Sequence, residues 1–415
     1  MEGCTNNKRY VFGWIGFTIL LIAYFFVYFQ RVSVSVLGID MTSEIGGSIA
    51  LLSSTYFTVY LIMQIPSGIM ADRLGPRMAS GIFLAIAAIG TLLSGFATTF
   101  TDAIIGKALI ACGMAVVYIP LIKIIAVWFP KTDFAVLTGT VIAVGNVGAI
   151  AAGAPLSMLN DAIGWRNVFL VMGVITAILS MVCLLFIRNR PSDVHPEAPK
   201  EPPMPTLKAL RITVLSGRRF WAPALAYMLM YGVIITYQGT WAVSYYRSVY
   251  SFVFDVAWFV TAIGIGKMIG AIIVGRYISS RNGSTKRTMI VGNLLFLLIW
   301  LPLCLTAGEI GSYVFWLAVN FLLGLFGGFM TVSFTQVKEC FPISMSGTVT
   351  AAMNTFLFAG GSVMSTISYF IIQSKLPEEF RMMWIVMAAC VIGAIVLCAI
   401  SREHDGGNDA RPTEQ

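Results

Sequence analysis

Twelve times along this chain, apolar residues run on for the roughly 20 positions a helix needs to cross the hydrocarbon core of a bilayer. The runs fall near 10–37, 48–70, 79–99, 103–128, 135–158, 166–187, 220–246, 256–275, 288–307, 312–337, 346–373 and 382–401. In hydrocarbon the backbone must satisfy its own hydrogen bonds, so each run is expected to be a helix. Of the 415 residues, 58% are hydrophobic and only 11% charged, where a soluble domain carries about a quarter. The deficit covers the whole length, which excludes a soluble domain on a single anchor. The first run is too long for a signal peptide and lacks a small-residue cleavage site. The expected fold is all-α, with twelve transmembrane helices.

Basic residues orient the spans. With the N terminus inside, 20 of the 27 lysines and arginines fall on the cytoplasmic side, and only Arg166, Arg247, Lys375 and Arg381 fall outside. This bias places both termini in the cytoplasm and accounts for the net charge of +8 without nucleic acid. Arg31, Lys107 and Lys267 remain, inside spans. The one long break, Arg188–Arg219, carries six prolines and mixed charge, as a semi-extended linker does. The expected organisation is a six-helix bundle over 1–187, a cytoplasmic linker over 188–219, a second bundle over 220–401 and a cytoplasmic tail over 402–415.

The halves repeat. "GTVIAVGN" (Gly139–Asn146) returns as "GTVTAAMN" (Gly347–Asn354) 208 residues on, and "RLG" (Arg73–Gly75) returns as "RNG" (Arg281–Gly283) at the same offset. Gln30 and Gln238 share that offset too, while "WFP" at Trp128 and "CFP" at Cys340 lie 212 apart. A duplicated six-helix unit follows, the parallel-repeat plan of rocking-bundle transporters. The third, sixth, ninth and twelfth runs are almost wholly apolar and suit lipid contact. The first, second, seventh, eighth and tenth carry tyrosines, glutamines and charges, which implies a central polar cavity.

"GIMADRLGPR" (Gly68–Arg77) resembles the loop between the second and third helices of the major facilitator superfamily, with Gly68, Asp72, Arg73, Gly75 and Arg77 at its motif positions. The resemblance implies the major facilitator fold, two pseudo-symmetric six-helix bundles, and a cytoplasmic latch. In that latch Gly68 would admit a neighbouring helix closely, and Asp72 would face the positive end of a helix from the other half. The second copy keeps Arg281 and Gly283 but has Ser280 in place of the acid. In the first half, "RVS" at Arg31, "PLIKIIAVWFP" (Pro120–Pro130) and "GWRNVF" (Gly164–Phe169) resemble the organic-anion branches, the anion:cation symporters and sugar-phosphate antiporters. Those relatives usually carry an aspartate before the first-helix arginine and often a glutamate in the fourth helix. Gln30 and Met114 or Ala115 stand there instead.

A cation in lipid must be compensated, and such residues mark substrate paths. Lys267 lies twelve residues after Asp255 and nine before Arg276, in mid-membrane. Arg31 lies nine before Asp40, about 13 Å of helix from the outer end, from which a long side chain could also snorkel outward. Tyr24, Tyr28 and Ser35 share its helical face. Lys107, five after Asp102, and Lys123, near the inner end, are expected to be interfacial anchors. No Asp, Glu or His lies in the middle of a span, so an anionic substrate is the simplest counter-ion for Arg31 and Lys267. Arginine would grip a carboxylate or phosphate with its planar fork, and lysine would add a point charge from the other half.

Tyr60 and Gln64 follow Tyr56 at helical spacing on the second run, and Tyr231, Gln238, Trp241 and Tyr245 are read as one face of the seventh. Tyr118, Asn146, Asn320 and Asn354 complete the candidates for a cavity or its gates. Seven singly spaced cysteines and two histidines in polar segments suggest no metal or disulfide. With no nucleophile–base pair and no phosphate loop, neither an enzyme nor a cofactor is expected. The expected function is alternating-access transport of a small organic anion, a carboxylate or phosphorylated metabolite, by anion exchange or by symport of a proton the substrate carries. Two alternatives stay open: a neutral-solute (sugar-like) facilitator and a transporter-like solute receptor. The expected partners are that substrate and the lipid bilayer, with a monomer as the simplest assembly and a prokaryotic inner membrane as the location.

Overall fold

The computed structural model describes residues 2–130, 132–189, 206–279, 284–306, 308–341 and 346–401. Arg281 and Gly283, most of the linker and the 402–415 tail lie outside the described residues. Among those described, every regular element is a helix.

The first span is α1 (Glu2–Val32) with α2 (Val34–Ile45). The second and third are fused in the 47-residue α3 (Ile49–Gly95), which turns at Gly75 (φ 74°, ψ 166°) just before Pro76. Only glycine adopts this backbone readily. Next come α4 (Phe100–Met114) with α5 (Tyr118–Trp128), then α6 (Phe134–Ala151). The helix α7 (Ala154–Phe186) ends the fifth span and, past a turn at Gly164, forms the sixth. A short α8 (Thr206–Leu215) precedes the second half. There α9 (Trp221–Thr236) and α10 (Ala242–Val249) are joined by a π-helical turn, Tyr237–Trp241. The chain continues as α11 (Ala257–Ser279), α12 (Thr285–Leu305) and α13 (Tyr313–Gly327). A 3-10 turn at Gly328–Thr331 leads into α14 (Val332–Glu339), and α15 (Ser346–Ile371) and α16 (Pro377–Ile400) follow. All twelve expected spans are accounted for.

The first, fourth, seventh and tenth spans are each interrupted partway, at Ser33, at 115–117, at the π turn and at the 3-10 turn. These are equivalent spans in the two repeats, and their breaks have local causes. Ser33 and Ser35 hydroxyls donate back to the carbonyls of Gln30 (3.1 Å) and Val32 (2.9 Å), which competes with the regular ladder. Paired glycines at 327 and 328 end α13.

Small residues let helices meet backbone to backbone. A Cβ at Gly266 would stand 2.1 Å from the Phe321 carbonyl, and one at Gly324 2.1 Å from that of Ile263, so α11 and α13 pack in direct contact. The last helix of each three-helix set faces outward, with Ile89, Ile178, Leu298 and Ile392 all more than half exposed, the lipid-contact role expected of those runs.

Polar contacts join the two halves at mid-depth and toward the face expected outside, called outer below. Thr58 and Ser362 hydroxyls are 2.6 Å apart, Thr240 donates to Ser53 at 2.8 Å, and the Ala154 amide donates to Thr261 at 2.9 Å. At the rim, Arg247 lies 3.8 Å from Asp40 of the first half and 3.9 Å from Asp255 of its own.

Candidate functional site

Arg31 stands one turn before the end of the apolar stretch of α1, and Tyr28 lies one helical turn back on the same face. Its guanidinium carbon is 4.4 Å from the Tyr28 ring centre, 5.6 Å from that of Tyr60 and 5.1 Å from that of Phe358. Tyr60 of α3 and Phe358 of α15 stack across the halves at 3.9 Å. The arginine therefore sits in an aromatic cage built from both bundles, where electron-rich ring faces partly compensate the cation. One nitrogen, Nη1, donates to the Tyr231 hydroxyl at 3.0 Å. Nε is buried with no partner.

Lys267 reaches the same tyrosine from α11, with Nζ 5.3 Å from the Tyr231 ring centre. The two expected cations thus share one ring, Arg31 on its hydroxyl and Lys267 against its face. Among the described residues, no ion pair includes Arg31, Lys267 or Lys107. A buried guanidinium with an unpaired N–H, beside a second cation, is an arrangement that an anion would complete.

Around this centre, Tyr24 contacts Tyr28 at 5.3 Å and Tyr118 at 5.5 Å, extending the aromatic wall along α1 to the break between α4 and α5. Tyr56 lies 5.8 Å from Tyr60, and Gln64 is half-buried one turn beyond Tyr60.

Other expected members lie elsewhere. Gln238 is buried, with Nε2 toward the Val260 carbonyl at 3.4 Å, and Trp241 packs edge-on to Phe380 at 5.6 Å. Asn320 is engaged within the second half: it accepts from Tyr237 (2.8 Å) and donates to Tyr246 (2.9 Å) and the Trp316 carbonyl (2.8 Å). The expectation that Tyr231, Gln238, Trp241 and Tyr245 share a face fails at the π turn. An i→i+5 turn shifts the phase of everything after it, so Tyr231 alone of the four meets Arg31.

Lys107 is a second correction. Expected at the interface, it is 3% exposed; Nζ donates to the Gln30 carbonyl at 2.8 Å and stands 5.0 Å from the Tyr56 ring centre. The face of α4 that carries it packs on α3 and α1 and not on lipid. Lys123 is more than an anchor as well, since it pairs with the Asp72 carboxylate and donates to the Ala71 carbonyl at 2.9 Å.

The motif loop is therefore tied within its own half. Arg77 donates to the Leu184 carbonyl, and its amide to Asn189 at 2.9 Å, while a Cβ at Gly75 would meet the Asn189 side chain at 2.7 Å. Arg73 is exposed. Gly68 is not closely approached: a Cβ there would meet only Ile119, at 3.9 Å. On the outer rim, Arg166 donates to Glu44 at 2.8 Å and Trp165 donates to it at 2.8 Å; these hydrogen bonds, Arg166 first, hold the Glu44 carboxyl below its ordinary range.

Tyr231, Phe358 and Lys107 carry more of this region than the sequence assigns them. Tyr231 is visible in the helical spacing of its span, whereas Phe358 has no polar signal to mark it.

The sequence pattern of the Major Facilitator Superfamily matches residues 20–286 and 253–415. The probable sulfoacetate transporter SauU of Cupriavidus necator is 24% identical over 180 residues, 43% of this chain and 42% of the relative. The probable galactarate/D-glucarate transporter GarP of Escherichia coli is 30% identical over 187 residues, 42% of this chain and 41% of the relative. The matched stretches span less than half of those relatives' length. Among solved structures, a bacterial homologue of the human lysosomal transporter Spinster, inward-facing and unoccupied, superposes with a TM-score of 0.73 at 17% identity over 94% of this chain and 96% of its own. That likeness extends to the fold.

Proposed function

The chain belongs to the Major Facilitator Superfamily, and from that premise we propose that it is a secondary active transporter of a small organic anion. One observation carries the reading: Arg31 and Lys267 converge on Tyr231 from opposite halves, with no carboxylate paired to either among the described residues. A carboxylate or phosphate between them would take the free Nε of Arg31 and the ammonium of Lys267 together, and so draw the halves toward an occluded state. Names of relatives support the class, since both sulfoacetate and galactarate are organic anions. Polar contacts between halves at mid-depth and on the outer side describe a state closed outward, one end of an alternating-access cycle. The motif loop at Asp72–Arg77 is the cytoplasmic latch, which in this state is satisfied within its own half. The basic bias places both termini inside, in a prokaryotic inner membrane. Transport proceeds by exchange for another anion or together with a proton.

Counterflow in proteoliposomes tests this. Labelled D-glucarate, galactarate or sulfoacetate should equilibrate faster when unlabelled anion is trapped inside, and Arg31→Gln and Lys267→Gln should each abolish the stimulation. Counterflow of a neutral sugar, unaffected by either substitution, would overturn the reading.

A further inference from the structure

Lys107 is a buried amine that the substrate site above does not use. It lies about 7.5 Å of helix inward from Asp102 and is 3% exposed. Its Nζ donates to the Gln30 carbonyl at 2.8 Å, an oxygen that also takes the Ser33 hydroxyl at 3.1 Å. The groups facing it are neutral or cationic: the Tyr56 ring of α3 at 5.0 Å, and on α1 Gln30, followed in the chain by Arg31. Gln30 keeps its side-chain Oε1 buried without a partner. On its own helix, Asp102 is engaged by the Thr98 (3.2 Å) and Thr99 (2.9 Å) amides. No described ion pair reaches Lys107.

Two features set this lysine apart from a structural cation. One neutral carbonyl and one ring face compensate the ammonium, and a neutral amine could donate to the same carbonyl, so either protonation state has a place there. The carbonyl also belongs to the residue immediately before Arg31, at the interruption between α1 and α2. A charge on Lys107 therefore acts directly on the backbone that aims Arg31.

We propose that Lys107 carries the coupling proton of the transport cycle. The neutral amine gains one proton as an anion enters the Arg31–Lys267 site from one side, and the ammonium loses it as the anion leaves on the other. The inference rests on the anion-transport reading and adds to it the residue that holds the proton. By linkage, a bound anion favours the protonated lysine, and the protonated lysine tightens anion binding by the same factor. Anion affinity should fall as pH rises through the titration of Lys107.

The test uses the full chain in liposomes, with potassium and valinomycin holding the membrane potential at zero. Labelled D-glucarate, galactarate and sulfoacetate are the probes, and trapped pyranine reports proton entry. Wild type should show counterflow and, for one proton per anion, about tenfold accumulation under a gradient of one pH unit, with matching proton entry. Lys107→Met and Lys107→Arg should keep counterflow at equal pH and lose both accumulation and proton entry; either variant retaining counterflow is enough to read the result. Accumulation at the wild-type level in either variant would overturn the proposal. So would wild-type exchange indifferent to the pH gradient, or loss of counterflow in both variants while they remain folded. Absence of counterflow in wild type, for all three probes, would remove the anion reading itself and the coupling with it.

Discussion

Tyr231 is the residue on which both cations of the site depend. Its hydroxyl takes one donor of Arg31 and its ring faces Lys267. Tyr231→Phe frees that donor in a buried place, which costs about 1.5–3 kcal/mol for a hydrogen bond to a charged group. The variant should melt below wild type, and a binding anion should stabilise it by a larger shift than wild type, because the anion accepts the freed donor. Equal shifts would show that Arg31 and the anion do not meet there. At the rim, Glu44 gives a signed pH effect. Arg166 and Trp165 hold its carboxyl low, so their contribution is present above the ordinary carboxylate range and is lost as pH falls through the depressed value. Melting temperatures of wild type and Glu44→Gln should differ at neutral pH and converge in acid; a constant difference would contradict this. Arg31 and Lys267 were legible in sequence because a charge inside an apolar run is conspicuous. Lys107 was equally conspicuous yet misread, because five residues from Asp102 fixes its depth and says nothing about which way its helix faces.

The broken spans matter most among the elements. Four equivalent helices are interrupted, and two of the breaks, at Ser33 and at Tyr237–Trp241, flank the Arg31–Tyr231 contact. Hydropathy shows where such a helix runs but not an added residue in one turn, so the π turn hid the rotation that takes Gln238 and Trp241 away from Arg31. The repeat offset of 208 residues was legible because it needs only sequence identity. Lys267 is positioned by the tight packing of its helix on α13, where a Cβ at Gly328 would stand 2.7 Å from the Lys267 carbonyl. Gly266→Leu and Gly324→Leu should each push these helices apart and destabilise the protein by at least about 1–3 kcal/mol, the usual cost of overpacking. Unchanged melting of both variants would show that this contact does not hold Lys267 in place.

In the whole molecule, the halves meet at mid-depth and on the outer side, and the motif loop turns inward to its own bundle. The Arg247 bridge to Asp40 and Asp255 is half-exposed, so it biases the closed outer face by no more than about 1 kcal/mol, a factor of about five in population. In Arg247→Gln, Ser53→Cys should therefore react up to about fivefold faster with an impermeant thiol reagent added from outside; an unchanged rate would show that the bridge does not help close that face. The latch motif was legible as a family signature. Its partners Lys123 and Asn189 were not, because a conserved-looking loop does not reveal which of two conformations its contacts belong to.

Ligand-dependent thermal stabilisation of the purified protein tests the central claim most directly. The panel is D-glucarate, galactarate, sulfoacetate, a hexose phosphate and two neutral sugars, applied to wild type, Arg31→Gln and Lys267→Gln. The two-cation site predicts that at least one anion and neither sugar stabilises wild type. Each substitution should weaken that anion about tenfold or more while the variants stay folded. Full shifts retained in both variants, or stabilisation by a sugar alone, would contradict it.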